Sequence, residues 1–269
     1  VKRMLIKQVS RQGDTLIDFA CGKGGDFAKW IEAKLSFVFG IDISKDNLEN
    51  RLNGACARYL NAKKETIRVP DALFVNGNSA YNIKDGSAML DDKAKLITNA
   101  LFGIGTKDNL PPAVMRHFGE GTNGFKVSAC QFAIHYFFEN AIVLEGFLSN
   151  VAQCTKIGGY FIGTAYDGKE VFKQLKHYKT NTGMTITENN KKIWEIIKEY
   201  GSDEFMDDSS SIGYKISVFQ ESINQHFVEY LVNFDYLKRV FDSYGFQLLT
   251  PTESKALGLP ASTGMFRDL

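Results

Sequence analysis

The segment Thr15-Leu16-Ile17-Asp18-Phe19-Ala20-Cys21-Gly22-Lys23-Gly24-Gly25-Asp26 limits what this chain can fold into more than any other. A short apolar run stops at a glycine-rich turn, and Phe27, Trp30, Ile31 and Leu35 then recur at helical spacing. A strand followed at once by a helix accounts for that change of period. Glycines at such a join let the backbone approach a ligand closely at the carboxyl edge of a sheet. Phe37 to Asp42 reads as a second buried strand, and Ser44 caps a helix with apolar positions Leu48, Leu52, Ala55, Cys56 and Tyr59. Ala72 to Val75 is a third strand. The βαβαβ order predicts an α/β fold, a mostly parallel sheet with helices on both faces.

The rhythm breaks over residues 83–124, where Gly and charge clusters and Pro111-Pro112 predict an irregular insertion with one short helix near Lys93 to Leu101. Lys126 to Gln131 is strand four, a long helix runs from about Asn140 to Thr155, and Gly159 to Thr164 is strand five. Tyr178 to Asn190 is polar and reads as mobile, and Asp203 to Ser211 as a solvated acidic loop. Two alternating runs, Gly213 to Phe219 and Gln225 to Phe234, predict a hairpin at about 213–234. A last helix over Leu237, Val240, Phe241 and Tyr244 leads to strand six at Phe246 to Leu249. There is no internal repeat, and the reading is one domain over 1–269.

Composition narrows the partners. Apolar residues make up 44% and charged residues 23%, ordinary values for a globular protein with a core. Lys+Arg is 32 against 31 Asp+Glu, so any RNA contact has to come from a local patch, not from bulk charge. Cys21, Cys56, Cys130 and Cys154 form no C-x-x-C pair and read as reduced thiols; no metal site is expected. No apolar run reaches the roughly 18 residues of a membrane span, so no membrane partner is expected. The chain starts at Val1 and not at Met, which predicts a fragment of a longer polypeptide.

Three constellations carry chemistry. Asp42 ends strand two, 20 positions after Gly22, where a carboxylate can accept from both ribose hydroxyls of a bound nucleoside. A dinucleotide or S-adenosylmethionine would satisfy these two features. Phe27 stands where a pyrophosphate-binding turn has its third glycine, and Asp18 sits inside strand one, a costly place for a carboxylate unless a cation meets it. Both details favour S-adenosylmethionine, whose ammonium and sulfonium are positive. Second, His135 and Tyr136 leave strand four in CQFAIHYFFE. Either they are edge and core residues or they read a planar base in the crevice opened by the strand-one turn. Third, Glu229 interrupts an apolar strand, and either points to solvent or accepts from the N1–H and N2 amine of guanine.

DFACGKGGDFAKW, GIDIS, CQFAIHYFFE and GGYFIGT together resemble the eukaryotic and viral mRNA cap guanine-N7 methyltransferases, from Lys2 to about Leu249. The irregular insertion and the start at Val1 are most similar to the methyltransferase segment of a large DNA virus capping enzyme. The resemblance implies a Rossmann-like class I methyltransferase, S-adenosylmethionine as methyl donor, and 5'-capped RNA (GpppN) as the acceptor methylated at guanine N7. It also implies upstream triphosphatase and guanylyltransferase modules, and either the host cytoplasm and virion for a viral chain or the nucleus for a cellular one.

Carried over by position, Lys2, Asp18, Ala20, Gly22, Asp42, Asn78 and Gln131 would line the cofactor pocket. Lys23, His135, Tyr136 and Glu229 would face the cap, with Glu229, His135 and Tyr136 acting by positioning and electrostatics and no general base. The sequence departs from the family at Ala20, usually Gly, and at Asn78, where an Asp accepts from the adenine amine. It also lacks the late cap-contacting Tyr and the Asn-rich segment before Lys2. Lys23 has no phosphate in the cofactor to meet, which predicts a cap-triphosphate partner. The alternatives are methylation of another base or small molecule, or a non-catalytic module that binds RNA or cofactor.

Overall fold

A continuous apolar run with no polar face is a strand covered on both sides, and Phe37–Asp42 is one, with all six residues buried. It belongs to a computed structural model that describes residues 1–65 and 68–268. In chain order the elements are α1 (Lys2–Val9), β1 (Thr15–Asp18), α2 (Phe27–Glu32), β2 (Phe37–Asp42), α3 (Lys45–Glu49), α4 (Ala55–Glu65) and β3 (Asp71–Asn76). There follow α5 (Asp92–Leu101), α6 (Pro112–Arg116), β4 (Phe125–Gln131), α7 (Ala141–Cys154), β5 (Thr155–Thr164) and α8 (Gly168–Leu175). The last are β6 (Thr182–Glu188), β7 (Lys191–Lys198), β8 (Lys215–Gln220), β9 (Gln225–Tyr230), α9 (Phe234–Ser243) and α10 (Pro251–Ala256). Where the alternating pattern suggested one domain, the chain divides into two compact units. Unit 1 is Val1–Gln131, Gly146–Gly163 and Phe246–Leu269; unit 2 is Phe132–Glu145 and Thr164–Gly245.

Unit 1 holds a five-stranded sheet in the order β3-β2-β1-β4-β5, with β1–β2, β2–β3 and β1–β4 parallel. Alternation along the strands splits the apolar residues between two faces. Leu16, Val38, Val127 and Ala129 pack with Ile6 of α1 and Phe27 and Trp30 of α2. On the other face the Phe39 ring meets Phe102 and Phe125, and Phe19 meets Phe147 of α7 edge-on at 5.6 Å.

Two expectations fail here for local reasons. The single helix after Ser44 is two, α3 and α4, because Asn50 turns the chain: its side-chain oxygen accepts from the Leu52 and Asn53 amides. Gly54 then passes so close that a Cβ would lie 2.7 Å from the Asn50 backbone. Strand six is absent at Phe246–Leu249. Thr250 and Glu253 form a capping box with Pro251 in the first helical turn, so α10 begins directly after it. The insertion carries α6 in addition to the expected helix, now α5.

Unit 2 is built on an antiparallel sheet in the order β6-β7-β8-β9. β8 and β9 form the expected hairpin. The segment read as mobile instead supplies β6, joined to β7 through Asn189 and Asn190, both left-handed at φ 50° and 62°. That is the two-residue turn whose twist suits a hairpin, and Asn tolerates it. Ile196, Ile216 and Val218 pack with Leu175 of α8 and Leu231 to cover one face.

Trp30 is fully buried in unit 1, edge-on to Phe27 at 4.9 Å. Replacing it leaves a void that the sheet beneath cannot fill. Trp30→Ala should therefore lose about 3–5 kcal/mol, read as a lower midpoint in urea unfolding followed by far-UV circular dichroism.

Candidate functional site

Parallel pairing of β1 with β2 brings Asp18 and Asp42 to the carboxyl edge of unit 1, beside the glycine-rich turn. Asp42 closes that turn. One of its carboxylate oxygens accepts from the Gly22 amide at 2.7 Å, and the other from the Ser44 amide at 2.9 Å and the Asn47 side chain at 3.1 Å. Ser44 caps α3 by accepting from Asn47, so the helix start that steers Asn47 also steers Asp42. Asn76 donates to the main-chain carbonyls of Asp42 and Ile43 and fixes the strand end. An ionised carboxylate offers about four lone-pair sites. With three in use, a ribose hydroxyl finds one free, and a second would take over the longest bond, that of Asn47.

Asp18 is 2% exposed and accepts one bond, from the Ala20 amide at 3.1 Å. Burial pushes its carboxyl from the ordinary 3.8 to about 7, and Asp26 and Asp42 push the same way, while the Ala20 bond and Lys2 pull it back. Asp26 is matched by Lys29 at 2.7 Å and Lys2 at 3.3 Å. Asp18 forms no ion pair within 4 Å among the described residues. A buried acceptor of this kind fits a ligand cation, as the methionyl ammonium or sulfonium of S-adenosylmethionine would provide.

The turn itself leaves room. Gly22 and Gly24 are left-handed, at φ 54° and 68°, and a Cβ on Gly24 would lie 2.3 Å from the Phe27 ring. Around Gly22 and Gly25 a Cβ would meet nothing within 4 Å, so their backbone stands open to a ligand. Ala20 is not among the left-handed residues, which is why alanine serves there in place of glycine.

The other expected residues of unit 1 are engaged in ways the sequence did not show. Lys2 turns to Asp26. The Asn78 side-chain oxygen, expected on an adenine amine, accepts from the Ala80 amide at 3.0 Å and keeps only its second lone pair. Gln131 is buried at the end of β4. Lys23 does have partners: its ammonium donates to Asn53 at 2.9 Å and lies 3.7 Å from Asp46. The turn after α3 thus supplies it with an acceptor and α3 with a nearby charge, neither of which the sequence pointed to. Asp26, Ser44, Asn47 and Asn76 were missed, although Ser44 with Asn47 three residues on carried a capping signal.

In unit 2, a 3₁₀ turn over Ile134–Phe138 brings His135 beside β9. His135 Nε2 lies 3.7 Å from Glu229 Oε2, and the Tyr136 ring meets the imidazole edge-on at 4.3 Å. Glu229 and His135 are buried, whereas Tyr136 is 44% exposed. The separation would suit an ion pair, yet burial drives both groups toward neutrality. It lifts the Glu229 carboxyl to about 7 and depresses the His135 imidazole to about 4. Neither ring nitrogen of His135 nor Glu229 Oε2 has a hydrogen-bond partner among the described residues. Donors and acceptors are thus held ready beside an open aromatic face. Phe132, just before the turn, is left-handed at φ 57° and 48% exposed, and its amide donates to the Thr164 hydroxyl. A bulky residue in that region costs about 1–3 kcal/mol, a strain typical of ligand sites.

Residues 1–257 match the family described as the mRNA (guanine-N(7))-methyltransferase domain. The "Probable mRNA-capping enzyme" of Acanthamoeba polyphaga mimivirus is 28% identical over 243 residues, 89% of this chain and 19% of that protein. The mRNA cap guanine-N(7) methyltransferase of Saccharomyces cerevisiae is 28% identical over 252 residues, 93% of this chain and 50% of the yeast protein. The Arabidopsis thaliana mRNA cap guanine-N(7) methyltransferase 1 is 26% identical over 252 residues, 93% of this chain and 57% of that protein. The chain thus spans little more than half, or less, of the relatives it matches. Among solved structures, an S-adenosylmethionine-dependent methyltransferase from Clostridium acetobutylicum has a TM-score of 0.45 at 13% identity, covering 86% of this chain and 72% of its own. With nearly its whole length matched, the chain belongs to the mRNA (guanine-N(7))-methyltransferase domain family.

Proposed function

We propose that this chain methylates N7 of the guanine in a 5' mRNA cap, converting GpppN to m7GpppN with S-adenosylmethionine as donor. The observation that carries the reading is the trio of unit 2: a buried acceptor carboxyl, a buried neutral imidazole and an exposed Tyr ring, as guanine recognition requires. Family membership and the cation-seeking Asp18 support it from unit 1. By the same reading the chain works beside triphosphatase and guanylyltransferase modules, since the mimivirus relative is a much longer capping enzyme.

Bound at the turn, the cofactor supplies a methyl already made electrophilic by its sulfonium. Asp18 would face its cationic end, Asp42 its ribose and Asn78 its adenine. Guanine N7 has a free lone pair, so no proton leaves before attack, and the chain's task is placement and field. Glu229, once ionised, accepts from both N1–H and the N2 amine, and its charge stabilises the positive ring that forms. His135, neutral near pH 7, adds a hydrogen bond without repelling that charge. Tyr136 offers its face to the base.

Incubation with labelled S-adenosylmethionine and unmethylated capped RNA, then nuclease digestion, should return the label as 7-methylguanosine; label on any other nucleoside would refute the reading. Glu229→Gln should lower kcat/KM by roughly tenfold to a hundredfold, the worth of charge-assisted bonds at about 1.5–3 kcal/mol, and kcat/KM should rise with pH up to about 7 in the parent and lose much of that rise in the variant.

For the cofactor, Asp18 must be ionised to meet a cation. Calorimetry with S-adenosylhomocysteine should show affinity rising as pH climbs toward about 7 and levelling above it, and Asp18→Asn should flatten that profile. Stability of the free protein runs the other way. Asp18 and Glu229 have folded-state values raised above their ordinary 3.8 and 4.5, so their contribution is complete below those values and is lost as pH rises through about 7. Thermal melts of the free protein across that range check the opposed slopes.

A further inference from the structure

The chain is electrically balanced as a whole, yet from Arg51 to Lys64 it carries Arg51, Arg58, Lys63 and Lys64 and no acid. Lys63 is paired with Asp71 at 2.8 Å. Arg51, Arg58 and Lys64 are exposed and enter no ion pair within 4 Å among the described residues. Arg51 lies in the turn before α4, and Arg58 and Lys64 lie on the helix; with no acid paired to them they raise the local positive potential, which favours an approaching anion.

Two of these cations, Arg51 and Lys64, line a shallow groove of about 300 Å³ together with Asn50, Leu60 and Asn61; Arg58 is not in its lining but follows Ala57, which is. Glu49 also lines it, and its carboxylate lies 3.9 Å from Lys45. Leu60 is 59% exposed, and Leu52 nearby in sequence 88%. Cations spaced along an edge, amides able to bond sugar and base edges, and apolar side chains left bare make the surface a flexible single strand of RNA uses. The groove is also joined to the site already described. Lys23, inside the glycine-rich turn, bonds Asn53 at the head of α4. Because β2 ends at the carboxyl edge of the parallel sheet and β3 begins at the opposite edge, α4 runs down unit 1 away from that turn. Its eleven residues cover about 16 Å.

We infer that the RNA body downstream of the cap runs along this face, with Arg51, Arg58 and Lys64 each taking a backbone phosphate. The inference rests on the cap-methylation reading and deepens it. Contacts of this kind are made to phosphates and carry no sequence preference, and they serve substrates longer than the cap alone.

The test compares GpppA with a capped single-stranded RNA of roughly twenty nucleotides as acceptors for the full chain, at several salt concentrations. KM for the long RNA should be about tenfold or more below that for GpppA. Its additional dependence on salt should have a logarithmic slope of about 2, three phosphates at about 0.7 each. The triple variant Arg51→Glu/Arg58→Glu/Lys64→Glu should raise KM for the long RNA toward that of GpppA, leave kcat and both GpppA constants unchanged, and abolish the additional salt slope. Unchanged S-adenosylhomocysteine affinity verifies that the variant is folded. Should charge reversal disturb folding, the three Ala variants decide, each removing about a third of the slope. Equal KM for the two acceptors in the parent, or variants that change both acceptors alike, would overturn the inference. Failure of the parent to methylate GpppA at all would instead overturn the cap reading.

Discussion

Much of unit 1 depends on the carboxylate of Asp42. It ties the glycine-rich turn after β1 to the start of α3 after β2, by accepting from Gly22, Ser44 and Asn47 at once. Two of these donors, the Gly22 and Ser44 amides, are main-chain groups that a turn or a helix start leaves without an internal partner, and the third is the Asn47 side-chain amide. One side chain therefore satisfies the loose ends of two βα junctions and holds them together at the sheet edge. The arrangement works because β1 and β2 are parallel neighbours, so both junctions emerge on the same edge. Antiparallel pairing would place them at opposite ends. Asp18 is the complementary case. It is buried at the same edge with a single bond, and burial pulls its carboxyl upward to about 7.

Unit 2 shows a different use of burial. His135 and Glu229 come within 3.7 Å, yet desolvation moves each toward its uncharged form, so they do not pre-empt one another as an ion pair. A true salt bridge there would leave both groups satisfied; as it stands, Glu229 Oε2 and both His135 ring nitrogens have no hydrogen-bond partner among the described residues. The left-handed Phe132 sets where the chain turns after β4, and the Thr164 hydroxyl and carbonyl that receive its amide hold that conformation.

The sequence made the covered parts of the fold legible and hid the half-exposed ones. β2 could be read to the residue, since Phe37 to Asp42 is apolar on both faces and ends at a carboxylate. β6 could not, because as an edge strand it buries almost nothing and its Thr and Glu residues suit a loop equally well. The readable signal was the turn: Asn189-Asn190 ahead of the alternating Trp194 and Ile196. The α3–α4 break was hidden for the opposite reason. The apolar spacing runs straight through it, and only the backbone packing of Gly54 on Asn50 shows that no continuous helix fits. Of the site residues, the acids stood out as charges in apolar strands. Asn76, which orients the end of β2 from 34 positions away, looked like an ordinary polar residue, because a hydrogen-bond partner far along the chain leaves no trace in local pattern; Ser44 and Asn47 lie close to Asp42 in sequence and showed only as a helix start.

Lys23 shows how misleading a local argument about charge can be. Within its turn no anion is in view, which argues for a phosphate partner; thirty residues on, Asn53 supplies an acceptor and Asp46 a nearby charge. The same comparison applied to α4 gives the opposite answer. Lys63 finds Asp71, but Arg51, Arg58 and Lys64 find no acid within reach among the described residues. A chain whose charges nearly cancel has acids enough to pair these cations, so their isolation reflects placement and not supply. Lys23 sits inside the glycine-rich turn and is held by Asn53 and Asp46 from beyond it. It is therefore where the internal charge pairing of the site gives way to a surface that keeps its positive charge unspent.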